Sequence, residues 1–489
     1  MSAGPRTLLT ARWVLGHAEG RHQLLRDGEL VVEGDRVIFA GRHFPGEVQA
    51  RFDAGDALIA PGFIDLDALA DLDTTILALD NQPGWRKGRV WPRSYQDAGP
   101  VEMLSSGDLA FQKKHAFAQL IRNGVTSALP ISSLFYREWG ETVEELEAAA
   151  DAAMSLGLRV WLGPAYRTGH LLVDEAGAIG EYFDEARGLA ELENALRFCR
   201  DHSGRSGGLV SAMLSPDRIE TCTPALLRRT ADAGRELGVP VRLHCCQSLL
   251  EYQTVLRLRG MTPPEWLDSL GFLRPGVLLP HGVWTNDSPG IARPGRDLAI
   301  IAQSGASIVH CPLVMARGGS MLRSFPKLRG LGITIGLGTD TAPPDFFLNM
   351  QLGLMLARIA EGSPAACRSE DMLDAATLGG ATALGRGDLG RLQPGAKADL
   401  IVVELGRPQH GQVIDPVQTL MVAGQGRDVR DVMIDGQWVM RDRVIPGVDE
   451  LADAARAQAQ FDRLVARYPQ RTLGHPPVAE IFSSSYPRV

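Results

Sequence analysis

The sequence is short of cysteine, has no excess of positive charge and lacks any long apolar run. Each shortage removes a class of protein. Six cysteines in 489 residues do not make the disulfide framework of a small secreted domain. Cys245 and Cys246 are adjacent in a strand-like stretch; they read as buried free thiols, and the expected compartment is the reducing cytoplasm. The formal net charge is -8 with no basic block, which argues against nucleic acid or an anionic membrane as a partner. No apolar stretch reaches bilayer length, and the opening Met-Ser-Ala-Gly-Pro-Arg has no signal-peptide pattern. No Gly-x-Gly-x-x-Gly follows the first buried strand, which disfavours a dinucleotide-binding doubly wound sheet. There is no internal repeat. What remains is an ordinary globular balance, 45% hydrophobic and 22% charged, on a chain long enough for one large domain plus a smaller one.

The order of elements is informative. Residues 7–60 alternate short β-like runs with turns, and Gly34-Asp35 marks a hairpin. Eight buried-strand candidates follow: Leu58–Leu66, Val125–Ile131, Leu158–Pro164, Leu209–Leu214, Val239–His244, Val277–His281, Ser307–Cys311 and Thr334–Asp340. Amphipathic stretches such as Asp108–Arg122, Val143–Leu156 and Pro224–Leu237 separate them. Eight strands alternating with helices predict an α/β chain folded as a (β/α)8 TIM barrel. Residues 388–445 return to β-like runs, residues 450–470 read as a helix, and a Pro-rich tail runs to Val489.

Pro61-Gly62-Phe63-Ile64-Asp65-Leu66 resembles the first barrel strand of the amidohydrolase superfamily. The blocks Met261–Gly271 and Ala375–Gly385 resemble its deaminase and chlorohydrolase branch, the guanine-deaminase and s-triazine-hydrolase relatives. The resemblance covers residues 7–445. It implies a small β-sandwich formed from the N- and C-terminal segments. The expected domains are then 1–57 with 386–445, a barrel over 58–385, and a C-terminal helix and tail over 446–489. It also implies a homodimer or larger assembly.

In a barrel of this kind the site lies at the C-terminal ends of the strands. His244, His281, His310 and Asp340 fall there. The resemblance makes the fifth-strand His and the eighth-strand Asp metal ligands. Two departures stand out. The family's His-x-His on the first strand is Asp67-Ala68-Leu69 here, and the Glu that follows the fifth-strand His by three residues is Gln247. Asp67, His244 and Asp340 are therefore the expected ligands of a zinc or iron ion held weakly or not at all, with no organic cofactor. His281 is expected as base or oxyanion partner, Asp340 as acceptor of the water proton, and Gln247 as a substrate-orienting group. Trp85 and Arg86 in the long 70–105 loop, Tyr166 and Arg167 after the third strand, and His310 are the expected substrate wall. Each has a plainer alternative: a strand-end His as a structural hydrogen-bonding residue, the loop as a solvated lid or subunit contact. Asp345 after the eighth strand is a further wall candidate and reads also as a helix N-cap before Phe346–Arg358.

Two functions are open at this point. One is a hydrolase acting on a C–N bond, other than a peptide bond, of a small heterocyclic or amidine-like substrate. The other is a catalytically inactive member of the same fold that serves as a scaffold or regulatory partner.

Overall fold

Local signals start and stop the helices where the sequence places them. Ser105 and Asp108 close a capping box at the head of Ser106–Arg122. Thr142 caps Val143–Leu156, and Thr223 caps Pro224–Leu237, which begins on a proline. Gly157 and Gly238 end these last two in the left-handed conformation that glycine adopts at least cost. The structure, a computed structural model, describes residues 4–73, 90–202, 208–323, 325–472, 477–481, 484–487 and 489.

The helices alternate with eight short parallel strands: Phe63–Leu69, Val125–Ile131, Arg159–Leu162, Val210–Ala212, Val241–Arg242, Val277–Pro280, Ser307–His310 and Ile335–Leu337. They form two four-stranded sheets, the first to fourth strands and the fifth to eighth, each in chain order. At one seam Leu214 pairs in parallel with Val241. At the other, the Asp340 N–H donates to the Asp67 carbonyl at 2.8 Å. The strands are buried almost throughout, because helices cover one face and the partner sheet the other.

The run expected as one strand, Leu58–Leu66, is two. Ala57–Pro61 pairs antiparallel with Leu400–Glu404, and only Phe63–Leu69 joins the barrel sheet. Gly62 makes the break. A Cβ there would lie 2.1 Å from Thr126 Cγ2, so the second barrel strand approaches too closely for any side chain.

Both chain ends share one eight-stranded sheet. Its main path runs Gln437–Met440, Val429–Ile434, Leu400–Glu404, Ala57–Pro61, Arg6–Ala18, Arg21–Glu33, Arg36–Gly41, with Ala50–Asp53 also on Arg6–Ala18. The Gly34-Asp35 hairpin joins two of its strands. The long C-terminal helix, Glu450–Thr472, sets Leu464 and Tyr468 against Met103 and Tyr136. Among the described residues no helix is long and apolar enough to cross a membrane. All six cysteines are buried free thiols.

Arg159 fastens the barrel to the terminal sheet. It is fully buried at the start of the third barrel strand. Its Nε and Nη2 donate to the two Asp399 oxygens at 3.0 and 3.2 Å, and Nη2 also reaches Asp435 at 3.0 Å. Arg159→Met leaves the Asp399 carboxylate buried and unpaired, and is expected to cost about 3–5 kcal/mol. Urea denaturation measures this; a loss below about 1 kcal/mol would rank the pair with exposed surface bridges.

Candidate functional site

The mouth of the barrel gathers Asp67, His244, His281 and Asp340. One ligand-type atom from each lies within 4.8 Å of all the others. His244 Nε2 is 3.6 Å from Asp67 Oδ2, and His281 Nε2 is 3.6 Å from Asp340 Oδ2. The two imidazoles lie 5.5 Å apart with their planes 26° from parallel. His244 Nδ1 is 2.7 Å from the Asp217 carbonyl oxygen. A carbonyl only accepts, so Nδ1 carries the proton and Nε2 faces Asp67. His281 and Asp340 have φ of 79° and 46°, a left-handed backbone that is uncommon for residues with side chains and concentrates at working sites.

The first strand presents its carboxylates irregularly. Register shifts at Phe63/Ile64 and between Asp65 and Ala68 break simple alternation. Asp65 turns into the seam with the eighth strand, accepting from Thr339 N at 3.1 Å and Thr339 Oγ1 at 2.6 Å. Burial pushes its carboxyl up to about 7, against those hydrogen bonds. Asp67 is fully buried. Beside it lies Arg242, whose Nε is 3.5 Å from Asp67 Oδ1 and whose Nη1 donates to the Leu129 and Pro130 carbonyls. Burial works against the charged form of His244, but the Asp67 carboxylate outweighs it and lifts the imidazole above its usual range.

Gln247 is also at the mouth and almost fully buried. Its Oε1 accepts from Arg218 Nη1. Its backbone N–H, with that of Cys246, donates to the Glu251 carboxyl. Burial pushes Glu251 up to about 8, and neighbouring Glu220 adds to the rise. Arg218 is the backbone neighbour of His244 through a parallel bridge. Neither Arg242 nor Arg218 stands out in the sequence. The available signal is the period of two: Arg242 shares a strand face with His244.

The remaining expected wall residues divide. Arg167 is buried, 3.8 Å from Asp217 Oδ2, with its guanidinium over the Trp91 and Trp139 rings at 5.2 and 5.6 Å. Tyr166 is turned away from the mouth: it is fully buried and its hydroxyl bonds Thr230 on the outer helix Pro224–Leu237 at 2.9 Å. His310 also faces outward. It packs 5.6 Å from the Phe325 ring and against Gly353 of the helix Phe346–Glu361, and burial pulls it down to about 3. Trp85 and Arg86 lie outside the described residues. Asp345 caps Phe346–Glu361, accepting from Phe347 and Leu348 N–H groups.

The Amidohydrolase family profile matches residues 58–439. The chain belongs to the amidohydrolase family. It is 30% identical over 451 residues to a 5-methylthioadenosine/S-adenosylhomocysteine deaminase of Halobacterium salinarum, covering 90% of this chain and 95% of the relative. It is 26% identical to a 5'-deoxyadenosine deaminase of Methanosarcina mazei, covering 91% and 95%. Among solved structures, a zinc-bound adenosine deaminase from Xanthomonas campestris superimposes with a TM-score of 0.75 at 21% identity, covering 94% of this chain and 98% of that one. A zinc complex of atrazine chlorohydrolase from Arthrobacter aurescens gives 0.74 at 19%, covering 93% and 100%. The fold is therefore the amidohydrolase TIM barrel, of mixed α/β class.

The donor set of this amidohydrolase suits a divalent metal. Two imidazoles and two carboxylates converge, a chemistry that zinc and iron both accept. Asp67 Oδ1 accepts no hydrogen bond although buried. Asp67, His244, His281 and Asp340 are the residues that would hold the ion.

Proposed function

We propose that this amidohydrolase hydrolyses a C–N bond, other than a peptide bond, at the amidine carbon of a small heterocycle. The cluster of Asp67, His244, His281 and Asp340 at the barrel mouth carries this reading. Water adds to the carbon, ammonia leaves, and the amidine becomes a lactam: R–C(NH2)=N–R' + H2O gives R–C(=O)–NH–R' + NH3. A divalent ion, when bound, supplies Lewis-acid polarisation and eases deprotonation of water. Asp340 Oδ2 takes the water proton. His281, 3.6 Å away, hydrogen-bonds the oxygen on which negative charge develops. Gln247 orients the ring, and Arg167 stands on the wall.

The metal site is degenerate in this reading. Asp67 replaces one first-strand imidazole, apolar Leu69 removes the other, and Arg242 competes for Asp67. The supporting frame is a barrel over 58–385, with 1–57 and 386–445 folding as a small β-sandwich and 446–489 as helix and tail. The chain works in the cytoplasm as a homodimer or larger. Light scattering at micromolar concentration is expected to give at least twice the mass of one chain, and a monomer would refute the assembly.

The test of function is ammonia release from a panel of the relatives' substrates, 5-methylthioadenosine, S-adenosylhomocysteine and 5'-deoxyadenosine, together with simple aminopyrimidines and aminotriazines, with zinc or iron supplied. Turnover that disappears in Asp340→Asn supports the hydrolase. The Arg242–Asp67 contact favours a second reading, an inactive scaffold or regulatory partner, because a buried cation already neutralises the first-strand carboxylate. No turnover across the panel, with stability indifferent to added zinc, would select the scaffold.

A further inference from the structure

Arg242 stands two residues before His244 on the fifth strand and shares its inward face. It is almost fully buried. Its guanidinium reaches the end of the second strand, Val125–Ile131, where Nη1 donates to the Leu129 and Pro130 carbonyls at 2.9 and 3.1 Å. Those bonds hold it beside the first strand, with Nε 3.5 Å from Asp67 Oδ1. Asp67 is held as firmly. Its N–H donates to Asp65 Oδ1 at 3.1 Å, Cys311 Sγ lies 3.8 Å from its Oδ2, and a Cβ on Gly338 would stand 2.6 Å from its Cβ. Among the described residues Asp67 Oδ1 accepts no hydrogen bond, so its contact with Arg242 is one of charge. Burial pulls Arg242 below the usual arginine range, against the carboxylates of Asp67, Glu141, Asp340 and Asp217. A guanidinium still keeps its proton at neutral pH.

We propose that Arg242 is the internal counter-cation of the mouth: it balances Asp67 in the metal-free protein and thereby sets how weakly a divalent ion is held. The inference rests on reading Asp67, His244, His281 and Asp340 as a metal site, and deepens that reading by naming the residue that controls affinity. An ion that takes Asp67 Oδ2 shares the carboxylate with a fixed positive charge. Like charges repel more strongly inside a protein than in water. Arg242 cannot withdraw without leaving the Leu129 and Pro130 carbonyls and its own donors unpaired. Without the guanidinium, Asp67 becomes a buried carboxylate with no cation, a costly state that a divalent ion relieves. Stability and metal affinity are thus linked through one side chain. The wild type is stable without metal and binds it weakly; a chain lacking the guanidinium is unstable without metal and binds it tightly.

Zinc is the probe, titrated onto the full-length protein in competition with a chromophoric chelator, with the melting temperature read alongside. Arg242→Met is expected to bind zinc at least about tenfold more tightly than the wild type. It is also expected to melt at least about 5 °C lower without metal and to regain most of that loss when zinc is added. Arg242→Lys keeps the charge, and its zinc affinity is expected to stay within about threefold of the wild type. The double variant Arg242→Met/Asp67→Asn carries neither charge; it is expected to fold without metal and to lose the gain in affinity. Unchanged zinc affinity in Arg242→Met, or an equal gain in Arg242→Lys, overturns the inference. If Arg242→Met folds only with zinc present, that dependence meets the expectation. If it folds in neither condition, Arg242→Gln takes its place with the same tenfold gain required, and failure of both to fold with zinc shows that the ion does not replace the guanidinium and overturns the inference. Ammonia release by the wild type with no gain in Arg242→Met sinks this inference alone; the gain with no turnover in any form sinks the hydrolase reading alone.

Discussion

Asp340→Asn is expected to lower turnover by about 10²–10⁴-fold, the usual worth of a positioned general base. Asparagine is the informative replacement. Asp340 has a φ of 46°, which asparagine tolerates far better than alanine does, and its backbone N–H must keep donating to the Asp67 carbonyl across the barrel seam. The substitution therefore removes the charge and the basic oxygen while sparing the fold. His281 Nε2 then loses the carboxylate that lies 3.6 Å away. The loss should fall on kcat, with KM changing little, because the carboxylate acts on the water and not on substrate binding. Steady-state kinetics with equal melting temperatures checks it. Turnover within about threefold of the wild type would remove Asp340 from the chemistry.

The second large effect concerns the metal. Protein purified without added metal is expected to carry well under one zinc or iron per chain, and Asp67→His/Leu69→His is expected to raise zinc affinity by more than about 10–100-fold, the range attached to a mere supporting partner. Asp67 is a hard oxygen donor whose Oδ1 already lies 3.5 Å from the Arg242 guanidinium. Leu69, at the end of Phe63–Leu69, offers no ligand. The double substitution supplies two nitrogens, and His244, His281 and Asp340 already converge on one point. Elemental analysis after dialysis against a chelator reads both forms. One zinc per wild-type chain surviving that dialysis would show that Asp67 is a working ligand, and the site would no longer count as degenerate. No gain in the double variant would locate the obstacle elsewhere in the cluster, with Arg242 as the first suspect.

The elements themselves were legible in the amino-acid order. Val143–Leu156 and Pro224–Leu237 occur as expected because their caps, Thr142 with Gly157 and Thr223 with Gly238, are local chemistry. The buried strands were legible because a parallel strand covered on both faces must be apolar along its whole length. His244, His281 and Asp340 were legible as a group because each falls just past the end of a separate strand, and all strands of such a barrel end on one face. Asp345 as an N-cap follows from its position alone.

Tertiary structure decided the rest, and in each case the missing information was a contact distant in sequence. Gly62 breaks the Leu58–Leu66 run because Thr126 packs against it, more than sixty residues away. Tyr166 follows its barrel strand as His244 does, and His310 ends its own, yet both point outward, to Thr230 and Phe325; the side that such a residue takes depends on register, and register is set by neighbouring strands. Arg242 and Arg218 read as ordinary charges in the sequence. Only the assembled strands bring the first to Asp67 and the second to Gln247. The sequence by itself determined the order of elements and three strand-end groups, because burial period and capping act within a few residues. Which side chains share the mouth, and which cations balance its carboxylates, was decided by packing between strands that lie far apart along the chain.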